Sequence, residues 1–440
     1  MSTAQNTNKS YRTAFLFLTI LFFLWGFITV LVDSLIPRLK EVFTLSYFQA
    51  GMVQFAFFGA FFVLSIPAGY ILSKIGYKKG IILGLSTMAA GCLLFWPAAS
   101  FRVFWVFMLG YFVLAGGITI LQVAANPYVT ILGPERSASS RLNLSQAFNS
   151  LGTAIAPAIG ALFILRDKVM STAEIEALSE AKQKAYYIAE AGAVQKPFLG
   201  IAIFIAVIAL VFAFVNLPKV GNTAASNDYR KVLKNKNLML GAVGLFFYVG
   251  AEVALGSYMV NYFLTLELSE IIKSTPYLRN IAQWILDTGL ENASNMAVVG
   301  VFVTFYWTGA MIGRFIGSYL TKIFNPAVVL CAFAAFAILM VNISNLSVGV
   351  IAMWTIIAVG LFNSIMFPTI FSLALDGLGD DKPQGSGVLC TMIVGGAVLP
   401  PSFGFLTDRF GFSIAFVLVM VAYAYIFFYG FINRKRQVEI

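Results

Sequence analysis

The stretch Gln122-Val123-Ala124-Ala125-Asn126-Pro127 returns in the second half of the chain as Asn363-Ser364-Ile365-Met366-Phe367-Pro368. In each, an amide opens the stretch and a proline closes it, inside an otherwise apolar run. Two further pairs recur in the same order. Phe22-Phe23-Leu24-Trp25-Gly26 is matched by Phe246-Phe247-Tyr248-Val249-Gly250, and Pro157-Ala158-Ile159-Gly160 by Pro401-Ser402-Phe403-Gly404. Spans one, four and five thus reappear as seven, ten and eleven. This is a parallel duplication of six spans, the arrangement of two halves that rock about a central site.

Composition agrees with spans. Of 440 residues, 60% are hydrophobic and 11% charged, whereas soluble domains carry about 25% charged residues. This excludes a cytosolic globular enzyme, a disordered chain and a nucleic-acid binder. A helix crossing the bilayer needs about 20 apolar residues. The runs at 14–37, 48–72, 79–100, 103–132, 142–165, 197–217, 238–266, 294–321, 326–346, 349–375, 385–407 and 411–433 meet that length. The expected fold is an all-α polytopic membrane protein of twelve helices in two six-helix, pseudo-symmetric halves. Residues 1–217 form the first half, 218–237 a cytoplasmic linker and 238–440 the second half.

The net charge of +10 lies between the runs, where basic residues set topology. Lys9 and Arg12, Lys74, Lys78 and Lys79, the basic segment 218–237 and Arg434, Lys435 and Arg436 fall on one side. The loops 166–196 and 267–292 are neutral or acidic, so both termini are expected in the cytoplasm. The acidic loop 376–384 is an exception on the inner side. Both long outer loops have helix-forming composition, and 173–193 reads as a solvated outer cap. Histidine is absent, and Cys92, Cys331 and Cys390 lie far apart in apolar runs, with no metal-ligand spacing.

Well inside the spans, the charged residues are Asp33, Glu252 and Arg314. A carboxylate in hydrocarbon costs at least a few kcal/mol, so it must face water, hold a cation or be protonated. Asp33 and Glu252 are therefore the candidate cation-coupling residues, and the candidate metal ligands if the cation is Na⁺. Glu252 lies 14 residues past Leu238, about 21 Å along the axis, too deep to snorkel. Arg314, near the end of span eight beside Lys322, is expected to snorkel to the inner surface.

Amides supply the second pattern. Gln122 and Asn126 are four apart and Gln146 and Asn149 three apart, so each pair shares a helix face. With Asn363 they offer the donors and acceptors that a polyol needs; interhelical hydrogen bonding is the structural alternative. Trp25, Tyr248, Tyr306 and Trp307 are candidates for stacking on the apolar face of a ring-shaped ligand, with plain lipid-facing or packing surface as the alternative. The stripes Gly309, Gly313, Gly317 and Gly76, Gly80, Gly84 read as close helix packing. Pro127, Pro157, Pro368, Pro400 and Pro401 each bend a helix or free a carbonyl, and a freed carbonyl at mid-membrane suits Na⁺.

The segment Gly69-Tyr70-Ile71-Leu72-Ser73-Lys74-Ile75-Gly76-Tyr77-Lys78-Lys79 resembles the loop motif of the major facilitator superfamily (MFS), with Ser73 where an aspartate is usual. The resemblance marks Gly69, Lys74, Gly76 and Lys78 as gating-loop residues. Phe22 to Phe27 with Asp33, Gln122 to Pro127, Leu142 to Asn149, Tyr248 to Glu252, Tyr306 to Gly309 and Phe362 to Pro368 together resemble the fucose/glucose/galactose symporter family. The second-half segments favour its glucose/galactose branch. That resemblance implies the MFS fold and a secondary active hexose importer of a bacterial inner membrane, driven by a Na⁺ or H⁺ gradient. Gln122 stands where the fucose branch has glutamate, and Glu252 where it has glutamine, so the second acid has changed halves. The alternatives are an exporter of a drug- or lipid-like molecule and a proton-coupled fucose transporter. No enzyme motif is present. The expected partners are a monosaccharide, a co-transported cation and membrane lipids, with no cofactor, no nucleic acid and a monomeric chain.

Overall fold

The computed structural model describes residues 2–33, 47–101, 103–163, 178–218, 229–286, 290 and 293–435. The described chain is helical almost throughout. In order, the helices are α1 Ser2–Asp33, α2 Tyr47–Ile75, α3 Tyr77–Phe101, α4 Phe104–Ile131, α5 Ala138–Phe163, α6 Glu180–Phe214, α7 Tyr229–Leu233, α8 Lys236–Thr265 and α9 Leu268–Ser274. They continue as α10 Pro276–Leu286, α11 Asn295–Ile323, α12 Pro326–Leu346, α13 Gly349–Asn363, α14 Met366–Leu375, α15 Lys382–Thr391, α16 Gly395–Phe410 and α17 Phe412–Asn433.

Among the described residues, eleven segments are long and apolar enough to cross a membrane. The expected span outside that group is α5, whose Ser139, Ser140, Asn143, Ser145 and Gln146 lower its hydropathy. All five side chains are buried in protein, where polar groups find partners that lipid lacks. Span ten is two helices, α13 and α14, parted at Ser364-Ile365. Span eleven is α15 and α16, parted by a short 3₁₀ turn, Met392–Val394. In loop 166–196, the part from Glu180 onward is the first turns of α6, not a separate cap. Its Ala, Glu, Lys and Gln residues run helically into the apolar span without a break. Loop 267–292 contributes two short helices, α9 and α10.

The helices gather into two compact units. One comprises Met1–Gly133, Phe148–Asn235 and Leu375–Met392; the other comprises Pro134–Ala147, Lys236–Ala374 and Ile393–Ile440. Each unit therefore holds most of one expected half plus one segment of the other. The second unit takes in the start of α5 through a polar seam. Ser140 Oγ donates to the Ser318 carbonyl at 2.7 Å, and Ser318 Oγ donates back to the Ser140 carbonyl at 3.0 Å. Asn143 Nδ2 donates to Thr369 Oγ1 at 3.1 Å, and the Ser139 and Ser372 hydroxyls pair. The first unit takes in α15. There Lys231 Nζ donates to Asp381 Oδ2 at 3.0 Å, which gives the acidic loop 376–384 its counter-charge. A methyl group at Gly69 would lie 2.8 Å from the Pro383 carbonyl and 3.3 Å from the Gly387 Cα, so only glycine permits this approach.

Candidate functional site

The repeated prolines explain the local geometry around the site. A proline has no N–H, so the carbonyl four residues earlier loses its helical donor. Pro127 frees the Val123 carbonyl, and Pro368 frees that of Ser364. Each is claimed by a side chain from elsewhere in its own unit. Ser386 Oγ donates to the Val123 carbonyl at 2.9 Å. Arg314 Nε donates to the Ser364 carbonyl at 3.2 Å. Each of these two oxygens thus already accepts one side-chain hydrogen bond.

Arg314 is the main correction to the sequence reading. Its guanidinium does not snorkel; Nη2 lies 3.7 Å from Glu252 Oε1, with the two side chains 15% and 14% exposed. The glycine stripe of α11 makes this reach possible. A Cβ at Gly313 would strike the Ser364 side chain, and one at Gly317 the Ile365 side chain. Helix α11 therefore lies directly against the break between α13 and α14, as close glycine packing requires. Tyr248, one turn before Glu252 on α8, donates its hydroxyl to Glu252 Oε1 at 2.7 Å.

A second knot forms in the same unit. Asn363 Nδ2 donates to Tyr306 Oη at 2.7 Å and to Tyr423 Oη at 3.4 Å. All three residues are fully buried. Among the described residues, Asn363 Oδ1 has no hydrogen-bond partner. Trp307 packs edge-on against Tyr306, with ring centroids 5.0 Å apart, and lies over Gly256 of α8, but it is 47% exposed. The structure thus brings Tyr248, Glu252 and Asn363 together with Arg314, Tyr306 and Tyr423, and leaves Trp307 at the rim. Tyr423 was missed by the sequence reading. The available signal was a phenol hydroxyl inside an apolar span, since buried tyrosine hydroxyls usually find a partner.

In the other unit, Gln122 is half-buried and Asn126 fully buried on α4. Trp25 is buried against Phe22, centroids 5.3 Å apart. Asn149 donates its amide to the Phe22 carbonyl at 2.9 Å, beside Gly26, where a Cβ would collide with it. Gln146 is buried on α5 and falls in the second unit. Asp33 ends α1, and its side chain lies outside the described residues. No group of three or more Cys, Asp or Glu side chains converges among the described residues.

The residues expected in a gating loop are held by nearby and distant partners. Lys74 bonds the Tyr70 hydroxyl and sits 4.1 Å from that ring's centre. Lys78 Nζ donates to the Ala213 carbonyl at 2.9 Å, tying α3 to the end of α6. Ser73 Oγ donates to the Tyr70 carbonyl at 2.7 Å. Gly76 is a turn residue with φ of 78°, a left-handed conformation that glycine adopts freely. It is not part of a packing stripe, which corrects that reading. Gly80 and Gly84 are: a Cβ at Gly84 would lie 2.8 Å from the Leu121 backbone nitrogen.

Comparison with known proteins agrees with this architecture. The sequence pattern of the Major Facilitator Superfamily matches residues 14–392. The chain is 45% identical over 438 residues to a glucose/galactose transporter of Brucella abortus, covering 99% of this chain and 97% of that one. It is 34% identical over 419 residues to the L-fucose-proton symporter of Escherichia coli, covering 92% and 89%. A crystal structure of the MFS transporter FucP in the outward conformation superposes with a TM-score of 0.85 at 32% identity, covering 96% of this chain and 99% of that one. The chain belongs to the Major Facilitator Superfamily of transporters.

Proposed function

We propose that this protein imports a hexose of the glucose/galactose type together with a cation, by alternating access, and that it does so in a bacterial inner membrane with both termini cytoplasmic. The observation that carries this reading is the cluster of Glu252, Arg314, Tyr248, Tyr306, Asn363 and Tyr423, buried in the middle of apolar helices. Ionisable and amide groups are rare inside membrane spans and mark substrate or ion pathways. Asn363 Oδ1, which has no donor among the described residues, is an acceptor suited to a sugar hydroxyl. Gln122 and Asn126 offer further amides on one face of α4. Asp33 and Glu252 are the carboxylates whose charge bears on coupling. The names of the Brucella and Escherichia relatives agree with a sugar substrate, and the latter with proton coupling. An exporter of apolar molecules calls for a mostly apolar interior, and this cluster counts against it.

The test is uptake of radiolabelled glucose, galactose, mannose, fucose and N-acetylglucosamine into proteoliposomes, under a proton gradient, a sodium gradient or neither. Glucose or galactose is expected to accumulate under one gradient alone. Absence of accumulation of every sugar under both gradients would overturn the reading.

A further inference from the structure

We infer that Arg314 is the permanent counter-ion of Glu252 and the donor that seals the carbonyl freed by Pro368, so the pair positions the site and does not itself carry the transported cation. This inference rests on the symport reading above and separates Glu252 from the coupling role: its charge is compensated within the fold.

Three observations converge. The guanidinium reaches Glu252 at 3.7 Å while its Nε donates at 3.2 Å to the Ser364 carbonyl. One side chain thus joins α8, α11 and the break between α13 and α14. The planar fork of arginine serves two acceptors at once, which a lysine ammonium on the same helix cannot reproduce in that geometry. Secondly, Glu252 Oε1 also accepts the Tyr248 hydroxyl at 2.7 Å, so the carboxylate has both a charge partner and a neutral donor. Thirdly, both side chains are largely buried. A transported cation at Glu252 would stand beside the guanidinium, and like-charge repulsion opposes that arrangement.

Geometry also assigns the pair a lever. The break in span ten adjoins Asn363, whose amide holds the hydroxyl oxygens of Tyr306 and Tyr423. Fixing the Ser364 carbonyl fixes the register of that amide. Arg314 is thus a positioning residue: it acts on the binding groups through the bend.

The experiment uses the full chain in proteoliposomes with three variants: E252Q, R314Q and the double variant E252Q/R314Q. It reads the yield of folded protein, the rate of hexose counterflow, and the steady-state accumulation ratio under the driving cation gradient. That ratio is set by cation stoichiometry, so slow turnover or a merely structural defect does not move it. Each single variant leaves one buried charge uncompensated, and a loss of at least about tenfold in counterflow is expected. The double variant removes both charges but leaves the Ser364 carbonyl without its arginine donor; it is expected to fold better and turn over faster than either single variant, to stay slower than wild type, and to keep the wild-type ratio. A double variant no better folded or faster than the worse single overturns the inference. So does a folded double variant whose ratio falls to one, or E252Q with wild-type counterflow and a ratio of one, because Glu252 would then carry the cation. Failure of the symport reading is distinct: the wild-type protein then accumulates no hexose, whatever the order of folded yields.

Discussion

Ser386 donates its hydroxyl to the Val123 carbonyl at 2.9 Å, completing the hydrogen bond that Pro127 cannot make. Ser386 is fully buried, so water offers no substitute. S386A is therefore expected to cost about 1–3 kcal/mol, the price of an orphaned buried acceptor. S386T keeps a hydroxyl and is expected to lose less. Thermal unfolding of the purified variants in one detergent ranks the three proteins. Equal stability of S386A and wild type would mean that the carbonyl has another donor.

Substitutions along the glycine stripe of α11 separate close packing from chance spacing. A Cβ at Gly313 or Gly317 meets Ser364 or Ile365, whereas one at Gly300 meets nothing within 4 Å. G313A and G317A are expected to destabilise by about 1–3 kcal/mol, and G313A also to slow counterflow by moving Arg314 off its two acceptors. G300A is expected to be neutral or to stabilise by up to about 1 kcal/mol. Melting curves for the three variants, side by side, check the order.

The Lys231–Asp381 pair is half in water, with the lysine side chain 71% exposed and the aspartate 9% exposed. Solvent screens such a pair, so its worth is at most about 1 kcal/mol. D381N is expected to lower stability by that order at low salt, and the gap is expected to close in 1 M NaCl. A gap that persists unchanged at high salt would trace the effect to the burial of Asp381 itself.

Tyr229, on α7, donates its hydroxyl to the Ile66 carbonyl at 2.7 Å. Burial pushes the phenol up from 10.0 to about 12. A raised pKa favours the protonated form in the fold. The contribution is therefore fully present below the ordinary tyrosine value and fades as pH rises through about 12. The stability lost in Y229F is expected to be constant between pH 6 and about 9. Urea or thermal titrations at several pH values within that range measure it. A loss that varied with pH there would implicate a different group.

Much of the architecture was legible because span length and repeat order are one-dimensional signals. The expected spans 326–346 and 411–433 agree with α12 and α17 almost residue for residue. Prolines announced freed carbonyls, yet the donors that claim them come from distant spans. Ser386 lies 263 residues from Val123, and nothing in either local pattern names the other. Arg314 was misread for a related reason. Counting residues to the helix end measures depth along the axis, but the partner is decided by rotation about it and by the small residues that let α11 approach. Asn149 shows the same limit from the other side. Its spacing from Gln146 is right for a shared face, but contact with α1 at Gly26 commits its amide to a backbone carbonyl. Tyr423 was lost among the many aromatics of the spans, where hydroxyl and phenyl side chains serve packing alike.

The exchanged segments at 134–147 and 375–392 bear on how the polypeptide tolerates being divided. Severing it between α7 and α8 would leave each fragment carrying a segment whose hydrogen-bond partners belong to the other fragment. Ser140 and Asn143 would lack Ser318 and Thr369, while Ser386 and Asp381 would lack Val123 and Lys231. Neither fragment could saturate its own buried donors and acceptors before meeting its mate. Each duplicated module thus completes the hydrogen bonding of the segment it lends only beside the other module.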